Sequence, residues 1–318
     1  MLETFRYKVV TLATLAALSL AAVACGEGGE GTATPGATAG GDEAPAGERI
    51  AFIAFRTGDQ EIYVMNADGS GQRNLTNDPG EDFDPDWSPD GTLIAFASDR
   101  AGSARIYVMD ADGANVRQLT REFTGTAPRW SRDGSRIAFS QGGSIVVVNA
   151  DGTNAEVIME AEYEETTAAC RSGSFPGGWS PDDDAIVYYS ANASRGIGHV
   201  CTIGADGSDI EVIVGDDETY YVEPVWSPDG HSIVYRAIQG GVHDIWVVDL
   251  GTGEETNLTN DPDLDVEPDW SPDGQRIVFA SLRPGAPNFD VYTMARDGSD
   301  VRRLTDDDAK DAYPAWTQ

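Results

Sequence analysis

The chain has 318 residues, with 54 Asp plus Glu against 21 Lys plus Arg and a formal charge of -33 at pH 7. A chain of this length can bury a full core as one large or two ordinary domains, and its 40 % hydrophobic content excludes wholesale disorder. Such an acidic protein repels phosphate backbones, which argues against nucleic-acid binding.

In chain order, Arg6 and Lys8 precede an apolar run from Val9 to Val23, fifteen residues long where a bilayer span needs ~20. A basic start, an apolar middle and the small-residue stretch Ala22-Val23-Ala24 read as a secretory signal over residues 1–24. Cys25 and Gly26 follow, and this junction resembles the lipobox of bacterial lipoproteins, with Ala22 where that family prefers Leu. The resemblance implies lipidation of Cys25 and a membrane anchor; the alternative is an ordinary cleavable signal beside an incidental cysteine. Gly26 to Glu48 holds Gly, Ala, Thr, Pro, Glu and Asp with no aromatic residue, so it cannot offset its chain entropy by burial. Residues 25–48 are therefore expected to be a disordered tether, with a mean reach of roughly 25 Å.

From residue 49 onward one unit recurs. Tryptophans at 87, 130, 179, 226, 270 and 316 are 43 to 49 residues apart. The first five open W-S-P-D-G or its variants W-S-R-D-G and W-S-P-D-D, and Ile94, Ile137, Ile186, Ile233 and Ile277 each follow seven residues later. Each isoleucine starts a run such as I-A-F or I-V-Y. A further run (I-Y-V-M at Ile62 and Ile106, I-W-V-V at Ile245) ends in an A-D-G or R-D-G turn, and the unit closes with L-T at Leu75, Leu119, Leu258 and Leu304. Short stretches of β-branched and aromatic residues bounded by Gly, Pro, Asp or Asn are strand and hairpin signals. Both alternating faces of Ile106-Tyr107-Val108-Met109 are apolar, so this strand is covered on both sides. Four antiparallel strands per ~45 residues describe one blade of a β-propeller.

Ile50-Ala51-Phe52 matches the strand after a tryptophan, but its own tryptophan would fall at position 43 inside the tether. Tyr313-Pro314-Ala315-Trp316 is an innermost strand without partners. Together they complete one blade, which predicts an all-β, six-bladed propeller over residues 49–318, closed by a C-terminal strand joining the N-terminal blade.

W-S-P-D-G-x-x-I-A-F, I-Y-V-M and A-D-G-x-x-x-x-x-L-T resemble the repeats of TolB-type (PD40, WD40-like) propellers over all of residues 49–318. The resemblance implies a periplasmic or otherwise extracytoplasmic binding protein of the cell envelope. TolB carries an α/β domain before its propeller, where only a tether is expected here. Peptidases with similar propellers carry a hydrolase domain; none is expected after Trp316, and no peptidase role is expected.

Strand order places the S-P-D-G and A-D-G turns on one side of the disc. The other side receives the variable crossovers, which are acidic: Asn77–Asp82, 216–218, Asn260–Asp265 and Asp306–Asp308. Variable loops on a rigid frame are where recognition sits; the alternative is that these carboxylates keep the surface soluble. Asp84, Glu223 and Glu267 stand three residues before a blade tryptophan and are expected to ring the channel mouth. Carboxylates held close need a cation, an arginine or a raised pKa. The expected partners are Arg56, Arg100, Arg236 and Arg283, with calcium as the alternative occupant. His199 and His243 fall near the second turns of adjacent blades and, with Glu223, form a candidate metal site like that of propeller lyases acting on uronate sugars. His231 follows an S-P-D-G turn and reads as a surface residue. No G-x-S-x-G elbow, phosphate loop or EF-hand loop occurs. Cys170 and Cys201 suit a disulfide in an oxidising exterior, or else Cys201 is buried and Cys170 free.

These readings converge on a non-catalytic, lipid-anchored, extracytoplasmic platform without a required cofactor. It is expected to be monomeric and to dock an envelope protein or peptide on its acidic face. The rival expectations are a metal-dependent carbohydrate-active enzyme and a calcium-stabilised propeller.

Overall fold

The computed structural model describes residues 47–162, 169–192, 196–216 and 218–318. The expected signal, Cys25 and all of the tether but Gly47 and Glu48 lie outside the described residues. Within them the chain forms β-strands joined by turns. The first blade takes β1 (Arg49–Ala54), β2 (Glu61–Asn66) and β3 (Arg73–Asn74). The second has β4 (Asp82–Trp87), β5 (Leu93–Ser98), β6 (Arg105–Asp110) and β7 (Arg117–Gln118). The third has β8 (Thr126–Trp130), β9 (Arg136–Gln141), β10 (Ser144–Asn149) and β11 (Glu156–Met159). β12 (Ser174–Trp179), β13 (Ala185–Asn192), β14 (Ile197–Gly204) and β15 (Glu211–Val214) make the fourth. β16 (Tyr220–Trp226), β17 (Ser232–Gln239), β18 (Val242–Asp249) and β19 (Glu255–Asn257) make the fifth, and β20 (Leu264–Trp270), β21 (Arg276–Leu282), β22 (Asp290–Ala295) and β23 (Arg302–Arg303) the sixth. The last strand, β24 (Asp311–Trp316), returns to pair antiparallel with β1, Ile50 opposite Trp316 and Ala54 opposite Asp311.

Each unit is an antiparallel sheet of four strands, and single parallel bridges at Gly198–Tyr220 and His243–Leu264 link the last three units. Alternation along a strand sends successive side chains to opposite neighbours. In the second blade Ile94, Phe96, Tyr107 and Met109 pack with Ala51, Ile62 and Val64 of the first. Ala95, Ala97, Ile106 and Val108 pack instead with Trp130, Ile137 and Phe139 of the third. The core is therefore a set of interfaces between blades, and each fully buried Ile or Phe in it stabilises the fold by about 1.5–3 kcal/mol.

The repeated motifs have repeated mechanics. Ser88 Oγ donates to Asp90 Oδ1 at 2.7 Å and accepts from Leu93 N at 2.9 Å, while Gly91 takes φ 66°. The same serine–aspartate clasp recurs at Ser131–Asp133, Ser180–Asp182, Ser227–Asp229 and Ser271–Asp273. The threonine of L-T accepts an amide of the third strand of its blade, Ile62 N to Thr76, Ile106 N to Thr120, Ile245 N to Thr259 and Val291 N to Thr305.

The glycine of the A-D-G turn packs against the preceding blade. A Cβ on Gly113 would lie 2.7 Å from Leu75 O, on Gly152 2.8 Å from Leu119 O, and on Gly298 2.5 Å from Leu258 O. On Gly69, in the first blade, it would lie 2.7 Å from Leu304 O of the sixth. The contacts that join consecutive blades thus also join the last blade to the first. The innermost strands β4, β8, β12, β16, β20 and β24 touch in that order, and β24 touches β4. The ring is closed.

Candidate functional site

The innermost strand of each blade carries an irregularity just before its tryptophan. Register shifts fall between Phe83 and Asp86, Thr126 and Arg129, Pro176 and Gly178, Val222 and Val225, and Val266 and Asp269. At the bulge the backbone turns left-handed: φ is 52° at Asp84, 51° at Ala127, 54° at Glu223, 58° at Glu267 and 51° at Tyr313. Non-glycine residues at positive φ are uncommon, and such bulges re-aim side chains.

Each acidic side chain at this position reaches the next blade. Asp84 Oδ2 accepts from Ala127 N at 2.9 Å, Glu223 Oε2 from Glu267 N at 2.8 Å, and Glu267 Oε2 from Tyr313 N at 2.6 Å. A second tier lies two residues on, where Asp86 Oδ2 accepts from Trp130 N and Asp269 Oδ2 from Trp316 N, both at 2.7 Å. The carboxylates therefore latch blade to blade, and the seam between β20 and β24 carries both tiers. Sequence reading placed Asp84, Glu223 and Glu267 around the channel but missed Asp86 and Asp269, although Asp-Trp recurs at both places.

Burial in this crowded channel favours the neutral carboxyl. It pushes Asp84 up, and raises Asp86 to about 6 against the pull of the Arg129 guanidinium. Burial, then the neighbouring Glu223 carboxylate, raises Glu267 to about 8, and burial with Asp86 nearby raises Asp269 to about 7. Tyr313 is pushed up by Glu267 and by burial.

Of the four expected arginine partners only Arg236 meets this ring, 3.0 Å from Glu223 Oε1. Arg56, Arg100 and Arg283 pair with an outer set of aspartates instead. Arg56 holds Asp311 and Asp307 at 2.7 Å, Arg100 holds Asp82 at 2.8 Å, and Arg283 holds Asp261 at 2.7 Å, Asp263, and Asp265 at 3.6 Å. Each guanidinium also lies over aromatic rings of its own blade: Phe52 and Tyr63, Phe96 and Tyr107, and Tyr292. The reason is position. These three arginines stand six residues after the blade isoleucine, past the end of the second strand, whereas Arg236 stands three after Ile233, inside β17. Asp82, Asp265 and Asp311 are fully buried under the arginines, and burial pushes them up, Asp265 and Asp311 to about 6.

Part of the acidic face is thereby consumed by structure, since Asp78, Asp261 and Asp307 each cap the backbone of their own crossover. Asp216, Glu218, Asp306 and Asp308 remain exposed there.

The two histidines do not converge. His199 stands two residues before Cys201, and His243 three before Trp246, the matching position of the next blade. His199 shares the face of Cys201, which packs with Ala138 and Ile145 of the third blade. His243 takes the face opposite that of Trp246, which packs with Val187 and Val200 of the fourth. Each therefore points away from the interface between their blades. His199 packs against Gly215, whose lack of a Cβ leaves room for the ring, and His243 lies beside Leu264 of β20. Among the described residues no group of three or more His, Cys, Asp or Glu is arranged to hold a metal ion. Cys170 and Cys201 are joined in a disulfide with Cα atoms 5.9 Å apart, and Tyr188 donates to Cys170 O at 2.8 Å.

Repeating four-stranded blades with W-S-P-D-G turns and inter-blade latches define the class of the molecule, a β-propeller. The PD40 family, described as the TolB beta propeller domain, matches residues 15–211 and 144–318, and the chain belongs to that family. Among solved structures it is similar to TolB from Acinetobacter baumannii, with TM-score 0.69 and 20 % identity over 85 % of this chain and 66 % of that one. It is also similar to a putative TolB from Agrobacterium tumefaciens, with TM-score 0.64 and 21 % identity over 81 % of this chain and 88 % of that one. A curated relative, the uncharacterized protein Atu1656 of Agrobacterium fabrum, is 29 % identical over 188 residues, 59 % of this chain. The chain spans 60 % of that relative's length.

Proposed function

We propose that the protein is a non-catalytic, extracytoplasmic binding platform of the cell envelope, held to a membrane through lipidated Cys25, that docks a protein or peptide on its acidic face. The observation that carries this reading is the use of the channel acids. Asp84, Asp86, Glu223, Glu267 and Asp269 each accept a backbone N–H of the next blade. Carboxylates so engaged serve the frame. Recognition then falls to the crossovers, which vary in sequence while the opposite turns repeat one clasp. Membership of the TolB propeller family supports the same reading. A negative face attracts a basic partner and steers its encounter, an effect that weakens with salt.

Site-specific photo-crosslinking in intact cells tests this. Crosslinkers at Glu218, Asn260, Asp306 and Asp308 are expected to capture one discrete partner, and crosslinkers at Thr92 and Gln275 on the turn face are not. Capture only from the turn face would refute the proposal, and a parent chain that fractionates apart from the membrane, or whose membrane association survives Cys25→Ser, would refute the anchor.

A further inference from the structure

The arginine that fills the outer slot in three blades is missing from the fifth, and there the slot stands open. Aligned on the blade isoleucine, Arg56, Arg100 and Arg283 correspond to Gln239 in the fifth blade, and buried Asp82 corresponds to Tyr221. The aromatic floor persists: Tyr235 and Trp246 face each other across β17 and β18, as Phe96 and Tyr107 do across β5 and β6. In place of the guanidinium lies a cleft of about 530 Å3 lined by Asp216, Tyr221, Gln239, Asp244, Trp246 and Glu255, among others. That volume is within the ~300–1,000 Å3 typical of ligand sites.

The other two blades without the arginine have closed their slots. In the third, Phe123 from the crossover packs edge-on against Phe139, and a Cβ on Gly125 would strike that ring at 2.7 Å. In the fourth, Cys201 occupies the floor position opposite Tyr188 and the disulfide brings Cys170 over it. Blade five also has an edge-on pair, Tyr221 on Tyr235 with ring centroids 5.8 Å apart, but this pair covers only Tyr235 and leaves the cleft beside Trp246.

The cleft also keeps the charge that an arginine would neutralise. Asp216 Oδ2 accepts from Tyr221 OH at 2.7 Å, Glu255 Oε2 from Tyr235 OH at 2.5 Å, and Asp244 Oδ2 from Asn257 at 2.8 Å. These hydroxyl and amide donors fix the carboxylates without cancelling them. Among the described residues no arginine or lysine forms an ion pair with any of the three, whereas Asp82, Asp265 and Asp311 each have one. A planar cation between a carboxylate and an aromatic face is what a guanidinium satisfies best.

We propose that the cleft of the fifth blade receives an arginine side chain from a partner polypeptide, stacked on Trp246 and paired with the cleft carboxylates, as the chain's own arginines are in blades one, two and six. This deepens the platform reading by naming the chemistry of its partner, and it rests on that reading.

The test uses the intact chain labelled with 5-fluorotryptophan, the Trp246 resonance being assigned through Trp246→Phe. Titration with the peptide acetyl-Gly-Arg-Gly-amide is expected to shift that resonance saturably. The lysine peptide should bind at least fivefold more weakly, and the citrulline peptide, isosteric but neutral, should not bind at millimolar concentration. Gln239→Arg, which supplies an internal arginine, should abolish the shift while keeping the melting temperature at or above that of the parent. Glu255→Gln with Asp244→Asn should weaken binding at least tenfold. An unmoved Trp246 signal, equal binding of the lysine or citrulline peptide, or undiminished binding to a folded Gln239→Arg chain would each overturn the slot. Those results leave crosslinking from the acidic face intact, so failure of the slot and failure of the platform are separable.

Discussion

Replacing Gly69 by alanine probes the seam between the two ends of the chain. Gly69 sits at φ 85°, and a Cβ there would lie 2.7 Å from Leu304 O and 3.2 Å from Leu304 Cα, both backbone atoms of the sixth blade. Two costs follow. An L-residue held near this φ costs about 1–2 kcal/mol, and forcing two packed backbones apart costs about 1–3 kcal/mol more. Gly253 separates the two, because it takes φ 72° at the corresponding turn of the fifth blade with nothing within 4 Å of its Cβ. Gly253→Ala should therefore show the conformational cost alone, and Gly69→Ala should exceed it by about 1–3 kcal/mol. Urea unfolding followed by circular dichroism and tryptophan fluorescence measures both, and for a chain of this size each kcal/mol corresponds to roughly 2–4 °C in melting temperature. Gly113→Ala, which strikes Leu75 O at 2.7 Å between consecutive blades, should match Gly69→Ala. Equal, small losses for Gly69→Ala and Gly253→Ala would mean that the first and last blades are not in contact.

Glu267 is raised to about 8 and accepts the Tyr313 amide, so its neutral form suffices for the latch; Glu267→Gln should melt within a degree or two of the parent at pH 7, and Glu267→Ala should lose about 1–3 kcal/mol for the orphaned amide. Asp86, Asp265, Asp269 and Asp311 are raised to between about 6 and about 7, so in that interval the folded state holds protons the unfolded state has released. Their contribution to stability therefore grows as pH falls from 8 toward 5, and Asp269→Asn should flatten that rise in melting temperature. Asp90, Asp133, Asp273 and Asp229, the last near 2, are instead held down by the turn clasps or, at Asp229, also by Arg296. Their contribution is present above the unfolded value and is lost as pH falls through the folded one, so stability should peak near pH 5 and drop below 4. Reduction of the Cys170–Cys201 bond, which closes a loop of separation 31, should lower stability by about 3–4 kcal/mol, read as a fall in urea midpoint with reductant that is absent in Cys170→Ser.

The architecture was legible because its signal is periodic. A tryptophan, an isoleucine seven residues on and a turn glycine at each repeat leave one strand grammar, and Tyr313–Trp316 could be assigned to the first blade by subtraction. The channel was legible only in part. Asp84 and Glu267 lie inward because the backbone bulges at positive φ, and that bulge has no strong local signature beyond the proline that follows it. Arg236 groups with Arg56, Arg100 and Arg283 as an arginine that ends or follows a second strand, although its offset from the blade isoleucine is three residues shorter and keeps it inside β17. Counting six residues on from each blade isoleucine finds arginine in three blades and Gly143, Asn192 and Gln239 in the others, so the repeats show which blades lack it but not which slot stays open. His199 and His243 fail to meet because one lies on the face toward the third blade and the other on the face toward the sixth.

Hydrogen exchange of β24 and its partner β1 tests the closed ring most directly. Phe55 N donates to Lys310 O at 3.1 Å and Thr317 N to Arg49 O at 2.9 Å, at the two ends of that pairing. The account predicts that the amides of Asp311, Ala312, Tyr313, Ala315 and Trp316, with Phe55 and Thr317, are as protected as those of β13 in the middle of the chain and exchange through global unfolding. Exchange of Asp311–Trp316 at the rate of a frayed terminus, independent of denaturant while β13 stays protected, would contradict it.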